Sequence, residues 1–229
     1  MIVSHEHRYI FVRTRKTAGS SLELALSATC GPDDIVTPHP GDENDELREA
    51  VGGSGAQNYL IPYHRYTTRN VATLVVKRRR PELFDHMPAR RIRSTVGSEV
   101  WNSYFKFAFV RNPWDAVISM YYWTHQGPDR PPMDAFLASE ACTRLQRNVD
   151  IFTIDGEVAV DRLFRFEDLR ESAAEIGARL ELGEPLELPR AKSSHRADRR
   201  AYRDVLTDTQ IARIGEMFGR ELEITGYVP

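Results

Sequence analysis

The apolar positions of this chain fall into short runs separated by polar corners, and the spacing inside each run predicts its element. Tyr9-Ile10-Phe11-Val12 has the β-branched and aromatic make-up of a buried strand, and Leu22, Leu24, Ala25 and Leu26 open an apolar pattern compatible with a helix. That helix is expected to end near Cys30-Gly31-Pro32, with Asp33-Asp34-Ile35-Val36 as a second short strand. Phe105, Phe107, Ala108, Phe109 and Val110 form the most strand-like run, too apolar on both faces for a sheet edge. It should be central. Pro113, Trp114 and Asp115 then open a helix whose Ala116, Val117, Met120 and Tyr121 cover one face. Ile92, Val96 and Val100 recur at helical spacing up to Trp101; Leu163 to Phe166 reads as a strand leading to a helix through Leu180. Asp208 to Phe218 is amphipathic, with Ile211, Ile214, Met217 and Phe218 inward. Residues 38–58 read as a polar excursion with one short acidic helix. In it, Gly52 to Gly55 is a loop, because no strand precedes it and no Lys-Ser/Thr follows. Strands alternating with helices predict an α/β fold with a parallel sheet, in one domain over residues 1–229.

Composition narrows the class. The 229 residues suffice for one domain with a sizeable core, and 41% hydrophobic with 28% charged residues describe a soluble globular chain. A net charge of -2 excludes a generally basic nucleic-acid coat, so any binding of anions must be local. Cys30 and Cys142 lie far apart in no CxxC or metal-like spacing and are expected to be reduced and structural. The N-terminal stretch lacks a basic leader with an apolar core, and no run approaches the roughly 20 apolar residues that span a bilayer. A cytoplasmic enzyme is the expectation.

Local anion chemistry is written into two corners. Between the first strand and helix lies Arg13-Thr14-Arg15-Lys16-Thr17-Ala18-Gly19-Ser20-Ser21. A strand turning through small residues into a helix aims unpaired N–H groups, and the positive end of the helix dipole, at one spot. Lys16 adds a full charge there, Gly19 lets the backbone come close, and Thr17, Ser20 and Ser21 offer hydroxyls. Taken alone, the stretch fits equally a capped turn with Lys16 in solvent and Ser20 or Ser21 as N-cap. The second corner is Arg111, at the carboxyl end of the central strand, where ligands gather in open parallel sheets; Ser119 lies about two turns further on. His86, just before Pro88 and a helix N-terminus, is favoured as neutral imidazole and so is a candidate general base, with His64 in reserve. The run with Arg65, Arg69 and Lys77 to Arg80 reads as a solvated face or a face for an anionic acceptor. Residues 190–203 are basic and hydroxyl-bearing.

These pieces resemble the sulfotransferases that use 3′-phosphoadenosine 5′-phosphosulfate (PAPS), in the carbohydrate-type branch with its many bacterial members. Residues 15–22, Arg-Lys-Thr-Ala-Gly-Ser-Ser-Leu, resemble that family's 5′-phosphosulfate loop, with Arg15 and Ser20 where Pro and Thr are usual. Phe109-Val110-Arg111-Asn112-Pro113-Trp114-Asp115 with Ser119 resembles its 3′-phosphate motif, His86-Met87-Pro88-Ala89 its histidine segment, and Lys192-Ser193-Ser194 through Gly226-Tyr227 its C-terminal cofactor loop and closing helix. The resemblance implies a P-loop-like fold and in-line sulfuryl transfer from PAPS to a hydroxyl or amine acceptor, a carbohydrate or small metabolite. It implies Lys16 and His86 as catalytic residues, and Arg15, Lys16, Thr17, Ala18, Gly19, Ser20, Ser21, Arg111, Ser119, Ser194 and Arg196 as donor-binding residues. No metal is expected, since no cluster of His and carboxylates has ligand spacing. A kinase-like phosphotransferase is the nearest rival, although Lys16 precedes Gly19 and no Gly-Lys-Ser/Thr tripeptide occurs. An anion- or nucleic-acid-binding module built on Arg78 to Arg80 and Arg90 to Arg93 is the non-enzymatic one; those runs lack interleaved aromatics, so no nucleic-acid partner is expected.

Overall fold

The structure, a computed structural model, describes residues 1–38, 43–189 and 200–229. In chain order the described strands are β1 (Ile2–Ser4), β2 (Tyr9–Val12), β3 (Ile35–Val36), β4 (Phe105–Val110), β5 (Thr153–Ile154), β6 (Glu157–Val158) and β7 (Arg162–Arg165). The first helices are α1 (Gly19–Ser27), α2 (Glu43–Ala50), α3 (Thr68–Lys77), α4 (Ala89–Val96), α5 (Ser98–Ser103) and α6 (Pro113–Thr124). They are followed by α7 (Met133–Leu137), α8 (Glu140–Gln146), α9 (Val149–Phe152), α10 (Leu169–Arg179), α11 (Tyr202–Val205), α12 (Asp208–Met217) and α13 (Gly219–Thr225).

Five strands form one sheet in the order β3-β1-β2-β4-β7, and β5 pairs with β6 in a separate ribbon. β2, β4 and β7 are parallel neighbours, with Phe11 opposite Phe107 and Val110 opposite Arg165. β4 is therefore interior, paired on both sides, as its apolar run predicts. The middle position belongs to β2. β1 runs antiparallel to both β2 and β3, so the fold is α/β with a mixed sheet around a parallel core. Three residues, Ile2 to Ser4, are too few to show a periodicity, which is why this strand is not legible in the sequence.

Alternation along the core strands divides the apolar side chains between two layers. Tyr9, Phe11, Phe107, Phe109 and Phe164 face Leu22 and Leu26 of α1 and Ile176 of α10, with Phe11 stacked on Phe107 at 5.4 Å between centroids. Ile10, Val12, Ala108 and Val110 face the other way, against Ile92 of α4 and Trp101 of α5. Both faces are covered, which is the usual condition of parallel strands. Gly97, at φ 91°, breaks the helical pattern that runs from Ile92 to Trp101 into α4 and α5. α1 stops at Ser27, short of Cys30, where the Ser27 hydroxyl donates to the Leu24 carbonyl at 2.7 Å. A further core joins Trp114 and Val117 of α6, Leu145 of α8 and Ile214 of α12, with Phe218 buried and Ile211 and Met217 half-buried against it.

Within α13, Glu221 is buried, and desolvation pushes its carboxyl up to about 8 from 4.5. Because the folded-state value lies above the unfolded one, stability is fullest below about pH 4.5 and declines as pH rises toward 8. Glu221→Gln is expected to remove that decline. Its melting temperature should exceed that of the parent at pH 8.5 and converge with it near pH 4; equal slopes of melting temperature against pH would contradict this origin.

Candidate active site

The corner between β2 and α1 is built on two left-handed residues. Lys16 has φ 64° and Ala18 φ 55°, with Thr17 between them not left-handed. For residues bearing Cβ this conformation costs about 1–2 kcal/mol each. The alternation turns successive N–H groups toward one side of the loop, the arrangement of an anion-binding nest. Ala18 is the N-cap of α1 and has no side chain to cap it, so the first N–H donors of the helix keep their direction toward the same side. Thr17 points elsewhere: it is buried, and its hydroxyl meets that of Thr14 at 2.9 Å. Thr17 thus holds the loop together through its side chain, and only its backbone is placed for an anion.

Arg13 explains why this corner keeps its shape. Its buried guanidinium donates to Glu23 of α1, to Asp85 at 2.6 Å and to the Ser20 hydroxyl at 2.9 Å. Glu23 in turn accepts from buried Arg48 of α2. Three segments that share no local sequence are thereby joined. Gly19 is required by the same group: a Cβ there would lie 2.9 Å from Arg13 Nε and 3.0 Å from its Cγ. Its small size admits the arginine side chain, in addition to any approach of a ligand. Arg15 is half-buried, and the side-chain amide of buried Asn148 accepts from its N–H at 3.0 Å and donates to its carbonyl at 2.9 Å. Burial, with Arg144 and Arg147 nearby, lowers the Arg15 pKa.

The second corner meets the first. Arg111 follows β4 directly, donates through Nη1 to the Lys16 carbonyl at 3.1 Å, and lies over the Phe166 ring at 4.1 Å. Asn112 caps α6 by accepting from the Trp114 N–H at 3.1 Å. Trp123, in the last turn of α6, has the Lys16 ammonium 5.2 Å from its ring centroid. Ser119 is one turn before Trp123, so i, i+4 spacing puts it on the helix face turned toward Lys16.

His86 stands on the third side. Its Nδ1 is 3.1 Å from the Arg13 carbonyl, which can only accept, so Nδ1 carries the proton and Nε2 is left with a lone pair. Burial, and then the Arg13 charge, lower its pKa to about 3. The imidazole is neutral, as its position before a helix predicts, but held far more firmly than a dipole alone would do. His64 lies exposed on the turn Tyr63–Arg65. Ser194 and Arg196 lie outside the described residues. Among the described residues no group of three or more His, Cys, Asp or Glu is placed to hold a metal ion.

The structure therefore brings Lys16, Ala18, Gly19, Ser20, Arg111 and His86 around one corner of the sheet. Sequence reasoning passed over Arg13, Glu23, Asp85 and Asn148. A signal was present for the first two, since each is a charge set against an apolar run, after Val12 and between Leu22 and Leu24. The model of the Sulfotransferase family matches residues 1–148, which include every one of these positions. No curated protein and no solved structure matches the chain.

Removing the acid at the centre of this ion cluster would leave Arg13 and Arg48 buried beside each other's charge. Glu23→Ala is expected to lower stability by about 3–5 kcal/mol. A shift of the urea midpoint measures it; a variant within about 0.5 kcal/mol of the parent would show that the cluster is dispensable.

Proposed function

The chain belongs to the sulfotransferase family, a PAPS-dependent enzyme family, and we propose that it moves the sulfuryl group of PAPS to a hydroxyl or amine of a carbohydrate or small metabolite, in the cytoplasm. The observation that carries the reading is the 3.1 Å hydrogen bond from Arg111 to the Lys16 carbonyl, which joins two anion-directed corners 95 residues apart. A donor with a phosphosulfate at one end and a phosphate at the other suits two such corners. The residues fit it: the loop offers N–H groups at the start of α1, the Ser20 hydroxyl and the Lys16 charge, and no carboxylate occurs from Tyr9 to Leu22.

When bound, PAPS supplies an activated sulfuryl group and a leaving oxygen on which negative charge develops. Lys16 is the residue to meet that charge, supported by the N–H groups at the start of α1. Lys16 is half-buried, with its ammonium over the exposed Trp123 ring. Arg111 and Ser119 bind and orient the second anionic end, Arg111 being already fixed by Phe166 and the Lys16 carbonyl. His86, its Nδ1 held by the Arg13 carbonyl, offers Nε2 as the acceptor for the proton of the attacking hydroxyl. Its low pKa in the free protein keeps that nitrogen unprotonated at any physiological pH, and the negative charge of a bound donor raises its basicity when it is needed. Cys30 and Cys142 are free, and burial pushes their thiols up to about 12 and about 11, so neither is a reactive thiolate near pH 7.

Lys16→Ala is expected to reduce turnover severely while leaving the melting temperature close to that of the parent; normal activity would defeat the assignment. His86→Ala should lower turnover roughly 100-fold to 10,000-fold with donor affinity little changed. Because protonation of His86 in the free protein occurs near 3, kcat/KM should show no His86-dependent acid limb between pH 5 and 8. A limb near 6.5 that disappears in His86→Ala would refute that placement of the proton. Calorimetry separates the nearest rival: binding of adenosine 3′,5′-bisphosphate without magnesium supports sulfuryl transfer, and magnesium-dependent ATP binding alone supports a kinase.

A further inference from the structure

Helix α3 is amphipathic in the inverted sense. Asn70 is buried and Thr73 and Leu74 are half-buried, whereas Val71, Val75 and Val76 are 49%, 70% and 80% exposed. Val71 and Val75 are one turn apart, as are Ala72 and Val76, so the outward side is one continuous apolar stripe. A surface helix ordinarily turns such a stripe to the core. The exposed ring of Tyr63 extends the apolar area toward the C-terminal end of α3, where the Arg80 guanidinium lies 4.7 Å from its centroid.

The surrounding charge has one sign. Residues 59–98 contain nine Arg and Lys against two acids, a local charge of +7 in a chain whose total is -2. Asp85 is buried on Arg13, so of the two acids only Glu82 reaches this rim, where it pairs with Arg79 and leaves Lys77, Arg78 and Arg80 in excess. Arg90 is paired with Asp155, while burial, and then the charge of Arg69, lower the Arg91 pKa. Lys77, Arg78, Arg79 and Arg80 are all exposed at the helix end.

We propose that this face docks on an anionic membrane surface, with α3 lying in the interface, Val71, Val75 and Val76 entering the acyl boundary, and the flanking Arg and Lys residues engaging lipid headgroups. An interfacial helix needs an apolar side, a basic border and no spanning length. All three hold here, since α3 has 10 residues and no described helix is long and apolar enough to cross a bilayer. Other occupants satisfy only half of the surface. A soluble polyanion uses the basic border and leaves three valines in water. A second copy about a two-fold axis covers the valines but sets Lys77 to Arg80 against their own images. The docking does not depend on the sulfuryl-transfer reading.

Co-sedimentation of the full chain with vesicles tests it. Binding is expected to phosphatidylcholine vesicles that contain phosphatidylglycerol, to weaken with added salt, and to be absent with phosphatidylcholine alone. Val75→Asp with Val76→Asp, and separately Lys77→Glu with Arg78→Glu, change only exposed side chains; each pair should weaken binding by roughly tenfold or more. Circular dichroism melts confirm that both variants fold. The proposal is overturned if anionic vesicles are not bound. It is overturned equally if the aspartate pair binds them as the parent does, the behaviour of a simple polyanion site. Light scattering that reveals a dimer dispersed by the aspartate pair would assign the stripe to a second copy instead.

Discussion

A buried guanidinium is the constraint on which the rest of this molecule depends. Arg13 leaves the end of β2 and enters the protein, where a lone charge would be costly; Glu23, Asp85 and the Ser20 hydroxyl surround it. Such a cluster is weak evidence for stability, because desolvation offsets much of the attraction. What it supplies is geometry. One planar fork sets the start of α1, the strand end and the segment that carries His86 in a fixed relation. The imidazole is bound to the same residue through the Arg13 carbonyl, so the candidate base and the anion loop move as one unit.

The loop that follows stores conformational energy. Left-handed Lys16 and Ala18 persist only if neighbours over-determine them, and the neighbours can be named. Asn148 clasps both backbone groups of Arg15, Thr14 and Thr17 join hydroxyls, and Arg111 takes the Lys16 carbonyl. An arginine at position 15, where a proline would be rigid by itself, has an N–H that Asn148 uses. The stiffness that proline would give through its ring is here given through a buried amide.

Placed in this frame, the ionisable groups behave differently from their free counterparts. His86 is kept neutral by burial beside Arg13, while Lys16, in the same loop, rests over an exposed indole. Helix α3 presents valines outward among arginines.

How much of this was legible in the sequence depends on the range of the interaction. Both corners were: an apolar strand, a break at small residues or Asn-Pro, and a helix start are decided by a few consecutive residues, and the structure has them at Val12 to Gly19 and Val110 to Pro113. A neutral His86 was expected from its place before a helix, but burial and the distant Arg13 charge are what produce it. The partners of Arg13 and Arg15 were not legible, because Asp85 lies 72 residues and Asn148 133 residues away, and no local pattern encodes which buried charge meets which. The antiparallel β1 escaped notice because three residues have no period, and the outward turn of α3 because an apolar stripe looks the same in sequence whichever way it faces. Sequence settled where the chain turns and what chemistry each turn carries; only the assembled sheet, by setting distant corners side by side, decided which of those turns act together.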